Sequence, residues 1–390
     1  MYKNDIDNKI KTITYILKSA ILESETVHLT ENCNLEDLIV DAKKHEVVSC
    51  VYSALTKSQF ASDKLMNTLS IMNQQMIVRD TQQQYYLKKI IDTFEKNCIT
   101  CILMKGSIIK DLYPNTFFRQ SGDIDLYVGA EKDIVKGLML DLGFKIVDCD
   151  NDDSHHDVYY TDPGIYIEIH HRFMRERHSW SAEFDSMVER KVLYKQYKHI
   201  YQFTKEDFYV FMIAHMAKHV KFSGIGFKAL LDVWIYLNKY EDVLDKKELE
   251  RVLKKSSLTK FNSEILKLCD YLFEDNEADE TTVELSRLFY SNGVYGNQHM
   301  IYSEKKYNSG NKNKFLVYIK NFFASSNALQ TRYPILRKCR WMLPIIWIIR
   351  GIDVVFCRHN SFDSYIDKVS MADVELGKRL NELKRKIGLY

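Results

Sequence analysis

Asp123 and Asp125 stand two apart in Gly122-Asp123-Ile124-Asp125-Leu126-Tyr127-Val128, a stretch with the composition of a strand. Side chains at i and i+2 of a strand leave the same face, so the two carboxylates are expected side by side. Neighbouring carboxylates repel and call for a cation. Mg²⁺, with Mn²⁺ as the alternative, is held by one or two carboxylates together with substrate phosphates. Upstream, Lys105-Gly106-Ser107 follows a short apolar strand and opens a helix. The free N–H groups of a helix start favour phosphate, and a glycine at position 106 lets the backbone approach it closely. Lys105 and Arg119 are candidate phosphate cations. Paired carboxylates beside a phosphate cradle are the equipment of phosphoryl or nucleotidyl transfer from an NTP.

A third acid fits the same site. Ile165-Tyr166-Ile167-Glu168-Ile169-His170 alternates strictly. The isoleucines mark one face of a strand, and Tyr166, Glu168 and His170 the other. Glu168 is then a further metal ligand or the acceptor of the nucleophile's proton, and His170 contacts a phosphate or orients the carboxylate. His215 and His219 have metal-ligand spacing on a helix. No Glu follows His215, so they are read as a face packed near the cleft.

This arrangement resembles the nucleotidyltransferase superfamily typified by DNA polymerase beta, with Gly-Ser, then Asp-x-Asp, then a third carboxylate on a later strand. More narrowly, the chain is similar to the bacterial uncharacterised nucleotidyltransferase family. The likeness runs through Lys105-Gly106-Ser107, Tyr113-Pro114, Arg119, Gly122–Leu126 and Glu168-Ile169-His170. It continues more loosely through His215–His219, Lys228, Asp232 and the Pro/Trp stretch near residue 344. It implies an α/β (α+β) fold, a small mixed-sheet core flanked by N-terminal and C-terminal helical domains. It also implies two Mg²⁺ ions on Asp123, Asp125 and Glu168, and an NTP held by Lys105, Gly106, Ser107, Arg119, His170 and Lys228. The implied reaction moves an NMP, most simply AMP from ATP, to an acceptor with release of pyrophosphate. A small molecule, a tRNA and a protein are all open as acceptor. A catalytically silent nucleotide-binding or regulatory protein, and a toxin-like enzyme modifying tRNA or protein, are the rival readings.

Composition bounds these options. The 390 residues allow two or three domains. With 55 basic and 53 acidic residues, net charge is +2, which gives no reason to expect a broad nucleic-acid surface. The eight cysteines are scattered, and Cys98-x-x-Cys101 has no second pair at zinc spacing. Buried free thiols are expected. The start, Met-Tyr-Lys-Asn-Asp-Ile-Asp, lacks a secretory pattern, so a cytoplasmic, reducing compartment is the expectation. The apolar stretch 341–356 is too short to span a bilayer. A buried helix is its plain reading, and peripheral membrane contact the sharper one.

The elements that must position the site follow from periodicity. Residues 1–97 read as helices, including a long one over 64–97. Residues 98–180 form the catalytic core in the order β-α-β-α-β-β-β, with a polar loop at 150–156. The helical period returns over 181–390, with helices near 207–219, 228–239, 246–254, 262–273, 315–325, 335–356 and 370–387. A polar breaker lies at 308–314.

Overall fold

The computed structural model describes residues 2–24, 34–57, 62–148, 156–171, 181–308, 323, 325–329, 333, 335–356 and 372–390. The chain divides into two units, Met1–Tyr295 with Ile387–Leu389, and Gly296–Lys386 with Tyr390.

The first unit is built on a seven-stranded mixed sheet of β1 (Cys101–Leu103), β2 (Asp123–Val128), β3 (Lys145–Asp148), β4 (His156–Thr161), β5 (Ile165–His170), β6 (Val192–Leu193) and β7 (Ile200–Gln202). Its order is β3-β4-β5-β2-β1-β7-β6. β2 runs parallel to β5 and β1 parallel to β7, while the other neighbours are antiparallel. The expected α/β core with flanking helices is therefore what the chain forms. The alternation in β2 buries Ile124, Leu126 and Val128 on one face, where they meet Ile165, Ile167 and Ile169 of β5.

In this unit the helices are α1 (Tyr2–Ile21), α2 (Leu35–Lys44), α3 (Val48–Leu55), α4 (Asp63–Lys96), α5 (Gly106–Ile109), α6 (Lys132–Asp141), α7 (Ser181–Glu189), α8 (Lys205–Phe222), α9 (Phe227–Tyr240), α10 (Lys246–Lys255), α11 (Thr259–Phe273) and α12 (Glu280–Asn292). α4 starts where the Ser62 hydroxyl accepts the Leu65 N–H at 3.4 Å, as an N-cap serine does. Its 34 residues make a rod of about 50 Å. Ile90, Ile91 and Phe94 near its C-terminal end close the back of the sheet, with Val135 and Met139 of α6 beside them. α8 is apolar on nearly every side and is buried accordingly, as such a helix must be. His45, after α2, is fully buried. It stacks on Phe227 with ring centroids 4.7 Å apart, and its Nδ1 accepts the Phe227 N–H at 3.2 Å.

Some elements differ from expectation. β6 and β7 extend the sheet into a region read as helical, because strands of two and three residues show no alternation. α7, α12 and the helix Gln298–Asn308 were not anticipated. Cys50, Cys101 and Cys269 are buried as expected, but Cys98 is exposed, since it sits at φ 55° in the turn that ends α4. Cys33, Cys149, Cys357, most of the 150–156 loop, all of the 308–314 breaker but Asn308, which ends the helix Gln298–Asn308, and nearly all of the 315–325 helix lie outside the described residues.

In the second unit, Gln298–Asn308 packs on Val374–Lys386. The contact is close at Gly377, where a Cβ would meet the Ser303 carbonyl at 2.2 Å. The single helix expected over 335–356 is broken into Ile335–Lys338, a 3-10 turn at Arg340–Met342, and Leu343–Phe356. Pro344 stands in the first turn of the last helix, where its missing N–H is not needed. Among the described residues no helix is long and apolar enough to cross a membrane.

Candidate active site

Parallel pairing of β2 with β5 sets Asp125 opposite Glu168 and Tyr127 opposite His170. Residues opposed in this way share a face, so the register carries both carboxylates to the side away from the isoleucine layer. His170 joins them, its Nε2 2.8 Å from Asp125 Oδ1 and 3.5 Å from Glu168 Oε2. Asp125, Glu168 and His170 offer ligand atoms that all lie within 4.8 Å of one another. Asp123 is outside that tight group, one pleat nearer the start of β2, yet close enough to feel it. Burial, then the charges of Asp125 and Glu168, push its carboxyl up to about 6. Asp125 behaves oppositely. Burial works against its charge, but the Lys105 ammonium and the His170 hydrogen bond prevail and hold it below the usual range. The His170 hydrogen bond also lowers Glu168.

Lys105 lies between β1 and α5, and its Nζ sits 3.6 Å from Asp125 Oδ2. A second partner restrains it, His215 Nε2 at 2.5 Å. His215 Nε2 is in turn 2.8 Å from His219 Nε2, and His219 Nδ1 is 2.8 Å from Ser223 Oγ. An ammonium can only donate, so His215 Nε2 accepts. His219 Nε2, as the donor of its tautomer, shares the one lone pair of His215 Nε2 with Lys105, and its Nδ1 accepts the Ser223 hydroxyl. Burial and the nearby Lys105 charge keep both rings neutral, with His215 well below the ordinary histidine value and His219 at about 4. The i, i+4 spacing in α8 thus sets Ser223, His219 and His215 in line behind the Lys105–Asp125 ion pair.

The other two cations are also paired. Arg119 donates from Nη2 to Asp232 Oδ2 at 2.9 Å and from Nε to Oδ1 at 3.3 Å. The Tyr113 hydroxyl donates to the same Oδ1 at 2.7 Å. All three residues are buried. Arg119 Nη1 stays on the cleft side, near Gly106, where a Cβ would come within 3.0 Å of it. Lys228 forms an ion pair with Glu46 and donates to the Gln120 carbonyl at 3.0 Å. The Tyr295 hydroxyl donates to the other Glu46 oxygen at 2.6 Å.

Residues 119–122 enter β2 through a loop that side chains hold by its carbonyls. Arg79 of α4 donates to the Ser121 and Gly122 carbonyls at 3.3 and 2.8 Å, and Gln83 to that of Ser121 at 3.0 Å. With Lys228 on Gln120, three successive carbonyls are fixed. Sequence reasoning missed Arg79, Gln83, Glu46 and Tyr295. A signal existed for one of them, since Asn73, Asp80 and Gln83 are buried polar residues on the inner stripe of α4.

These groups line a cleft of about 460 Å³ that holds Asp123, Asp125, Glu168, His170, Lys105, Gly106, Arg119 and Lys228, a volume suited to a small-molecule ligand. Of the predicted residues only Ser107 is elsewhere. It lines an adjacent cavity of about 350 Å³ that shares Gly106, Ser121 and Asp123 with the cleft. The Ser107 and Ile108 N–H groups turn back onto the Met104 and Lys105 carbonyls, each at 3.0 Å.

The profile of a family described as uncharacterised nucleotidyltransferase matches residues 32–274, well over half of the chain. That span holds every site residue above except Tyr295. No curated protein matches the chain, and no solved structure matches it.

Proposed function

The chain belongs to the uncharacterised nucleotidyltransferase family, and on that premise we propose that it moves an NMP, AMP from ATP in the simplest case, onto an acceptor hydroxyl. The observation that carries this reading is the opposition of Asp125 and Glu168 across β2 and β5, with Asp123 on the same face. The donor set suits Mg²⁺ or Mn²⁺, since the Asp125 and Glu168 carboxylates lie within 4.8 Å of one another with His170, and Asp123 stands on the same face of β2, one pleat away. Asp123, Asp125 and Glu168 would hold the metal. Bound there, it would neutralise phosphate charge and lower the pKa of the attacking hydroxyl.

The chain's own groups do the rest. Glu168 is 28% exposed against 11% for Asp125, and takes the acceptor's proton. The acceptor oxygen bonds to the α-phosphorus as the bond to the bridging oxygen breaks, and pyrophosphate leaves. Arg119, with Nη1 beside Gly106, meets the polyphosphate, and Asp232 and Tyr113 hold its guanidinium in plane. Lys105, tethered by His215, supplies a charge next to Asp125 without collapsing onto it. His170 orients Asp125 and Glu168. Pyrophosphate release by purified protein with ATP, Mg²⁺ and a panel of acceptors tests the reading. An Asp125→Asn protein that still turns over would overturn it.

A second reading, nucleotide binding without turnover, draws on one observation. Arg119 and Lys228 are each already matched by an acid, Asp232 and Glu46. ATP binding that needs Mg²⁺ yet yields no pyrophosphate with any acceptor would favour it.

A further inference from the structure

In the second unit the first half of the helix Leu343–Phe356, Leu343 to Ile349, carries apolar side chains on both of its sides. Leu343, Ile346 and Trp347 face inward, packing with Met342, Tyr333, Leu336 and Leu329 into a small core. Ile345, Ile348 and Ile349 face outward with Trp341 of the preceding turn, and Trp341 is 73% and Ile348 64% exposed. Positions 345, 348 and 349 fall on one helical stripe, and Trp341 stands in the 3-10 turn that precedes the helix. A helix on a water-facing surface carries polar groups on that stripe, and one that is apolar all round needs a cover.

Charge identifies the cover. Residues 323–356 contain Arg332, Arg337, Lys338, Arg340 and Arg350 against a single acid, Asp353. In a chain whose overall charge is only +2, this stretch of the sequence is locally basic. Tryptophan and arginine are enriched at protein–protein interfaces as well, so the choice rests on the sign balance: five basic groups against one acid suit a uniformly anionic surface. An anionic bilayer surface wants this combination, with tryptophan and aliphatic side chains at the acyl boundary and arginine and lysine among the headgroups. Fourteen residues reach about 21 Å, short of the roughly 30 Å hydrocarbon core. A helix of this length is too short to span the core and suits a position along its surface.

We propose that Trp341, Ile345, Ile348 and Ile349 form a membrane-docking face that seats the protein on an anionic lipid surface. This docking is independent of the chemistry at Asp125.

The test uses the full chain with vesicles of phosphatidylcholine alone and of phosphatidylcholine mixed with phosphatidylglycerol, read by flotation and by tryptophan fluorescence. The expected result is binding to the anionic vesicles that weakens as salt is raised, with a blue-shifted emission that Trp341→Phe removes. Arg340→Glu should lower partitioning on the order of tenfold, given about 1 kcal/mol for each basic group near such a surface. Ile345→Ser with Ile348→Ser should abolish binding, with circular dichroism and ATP binding unchanged to show that the fold is intact. If the wild-type chain ignores anionic vesicles, or binds them equally well with both serines in place, the proposal fails. It fails as well if the stripe instead drives self-association, seen as a wild-type dimer in light scattering that the serines dissolve.

Discussion

Asp125 and Glu168 are direct cross-strand partners in a parallel pair, with the His170 imidazole bridging their carboxylates. Asp125→Asn and Glu168→Gln are near-isosteric and leave the strand pairing intact. Each is expected to abolish pyrophosphate release while the thermal midpoint stays within a few degrees of wild type. Paired activity and melting measurements check this, and turnover retained in either variant would remove that carboxylate from the mechanism.

Arg119 and Asp232 form a buried ion pair, so removing one partner strands a charge. Asp232→Asn should destabilise the first unit by about 3–5 kcal/mol, measured by urea unfolding. Arg119→Met combined with Asp232→Leu should recover most of that loss, because a buried pair is often no better than apolar groups of similar size. ATP binding should not return with it. A double variant that binds ATP normally would show that Arg119 has no part in gripping the nucleotide.

His215 keeps Lys105 at 3.6 Å from Asp125. With His215→Leu the ammonium loses that acceptor and is expected to close on Asp125, where it competes with a metal. A hydrogen bond to a charged group is worth about 1.5–3 kcal/mol, so Mn²⁺ affinity should fall by roughly ten- to a hundredfold. His215→Asn, which keeps an acceptor, should be milder. Paramagnetic titration with Mn²⁺ reads this directly, and equal affinities in all three proteins would disprove the tether.

Three histidines, His45 fully buried and His215 and His219 partly so, tie stability to pH. Burial lowers His45 to about 3 and His219 to about 4, and takes His215 well below its ordinary value. Each is neutral in the folded chain but binds a proton near pH 6.5 when unfolded. Their stabilisation is complete above about pH 6.5 and is lost as pH falls toward the folded values, at about 1.4 kcal/mol per pH unit for each proton. His170 runs the other way. Hydrogen bonds to Asp125 and Glu168 raise it against burial, so its contribution is present below pH 6.5 and fades above the raised value. His45→Asn keeps an acceptor for the Phe227 N–H but cannot titrate. It should flatten the decline between pH 6.5 and 4 by one proton, and an unchanged slope in urea titrations would exclude His45 as a contributor.

Much of the carboxylate cluster was legible because it obeys a local rule. Alternation in 123–128 and 165–170 gives the face of each side chain, and one strand pairing then joins Asp125, Glu168 and His170. The pairings of Arg119 with Asp232 and of Lys228 with Glu46 were not legible, since each joins residues more than a hundred positions apart and no period encodes them. Arg79 was invisible for another reason. It reaches the Ser121 and Gly122 carbonyls from a face of α4 that, to a hydrophobic pattern, is ordinary surface. The buried Asn73, Asp80 and Gln83 did leave a trace, as polar residues where the stripe called for apolar ones. β6 and β7 left none, being too short to show a period.

A methyl group at Gly106 would stand 3.0 Å from Arg119 Nη1 and 3.3 Å from Ser121 Oγ, so the guanidinium would have to give way by a few tenths of an ångström. The two positions should therefore be inherited as one character. Among natural relatives, an alanine at the first ought to travel with a displaced or shorter side chain at the second.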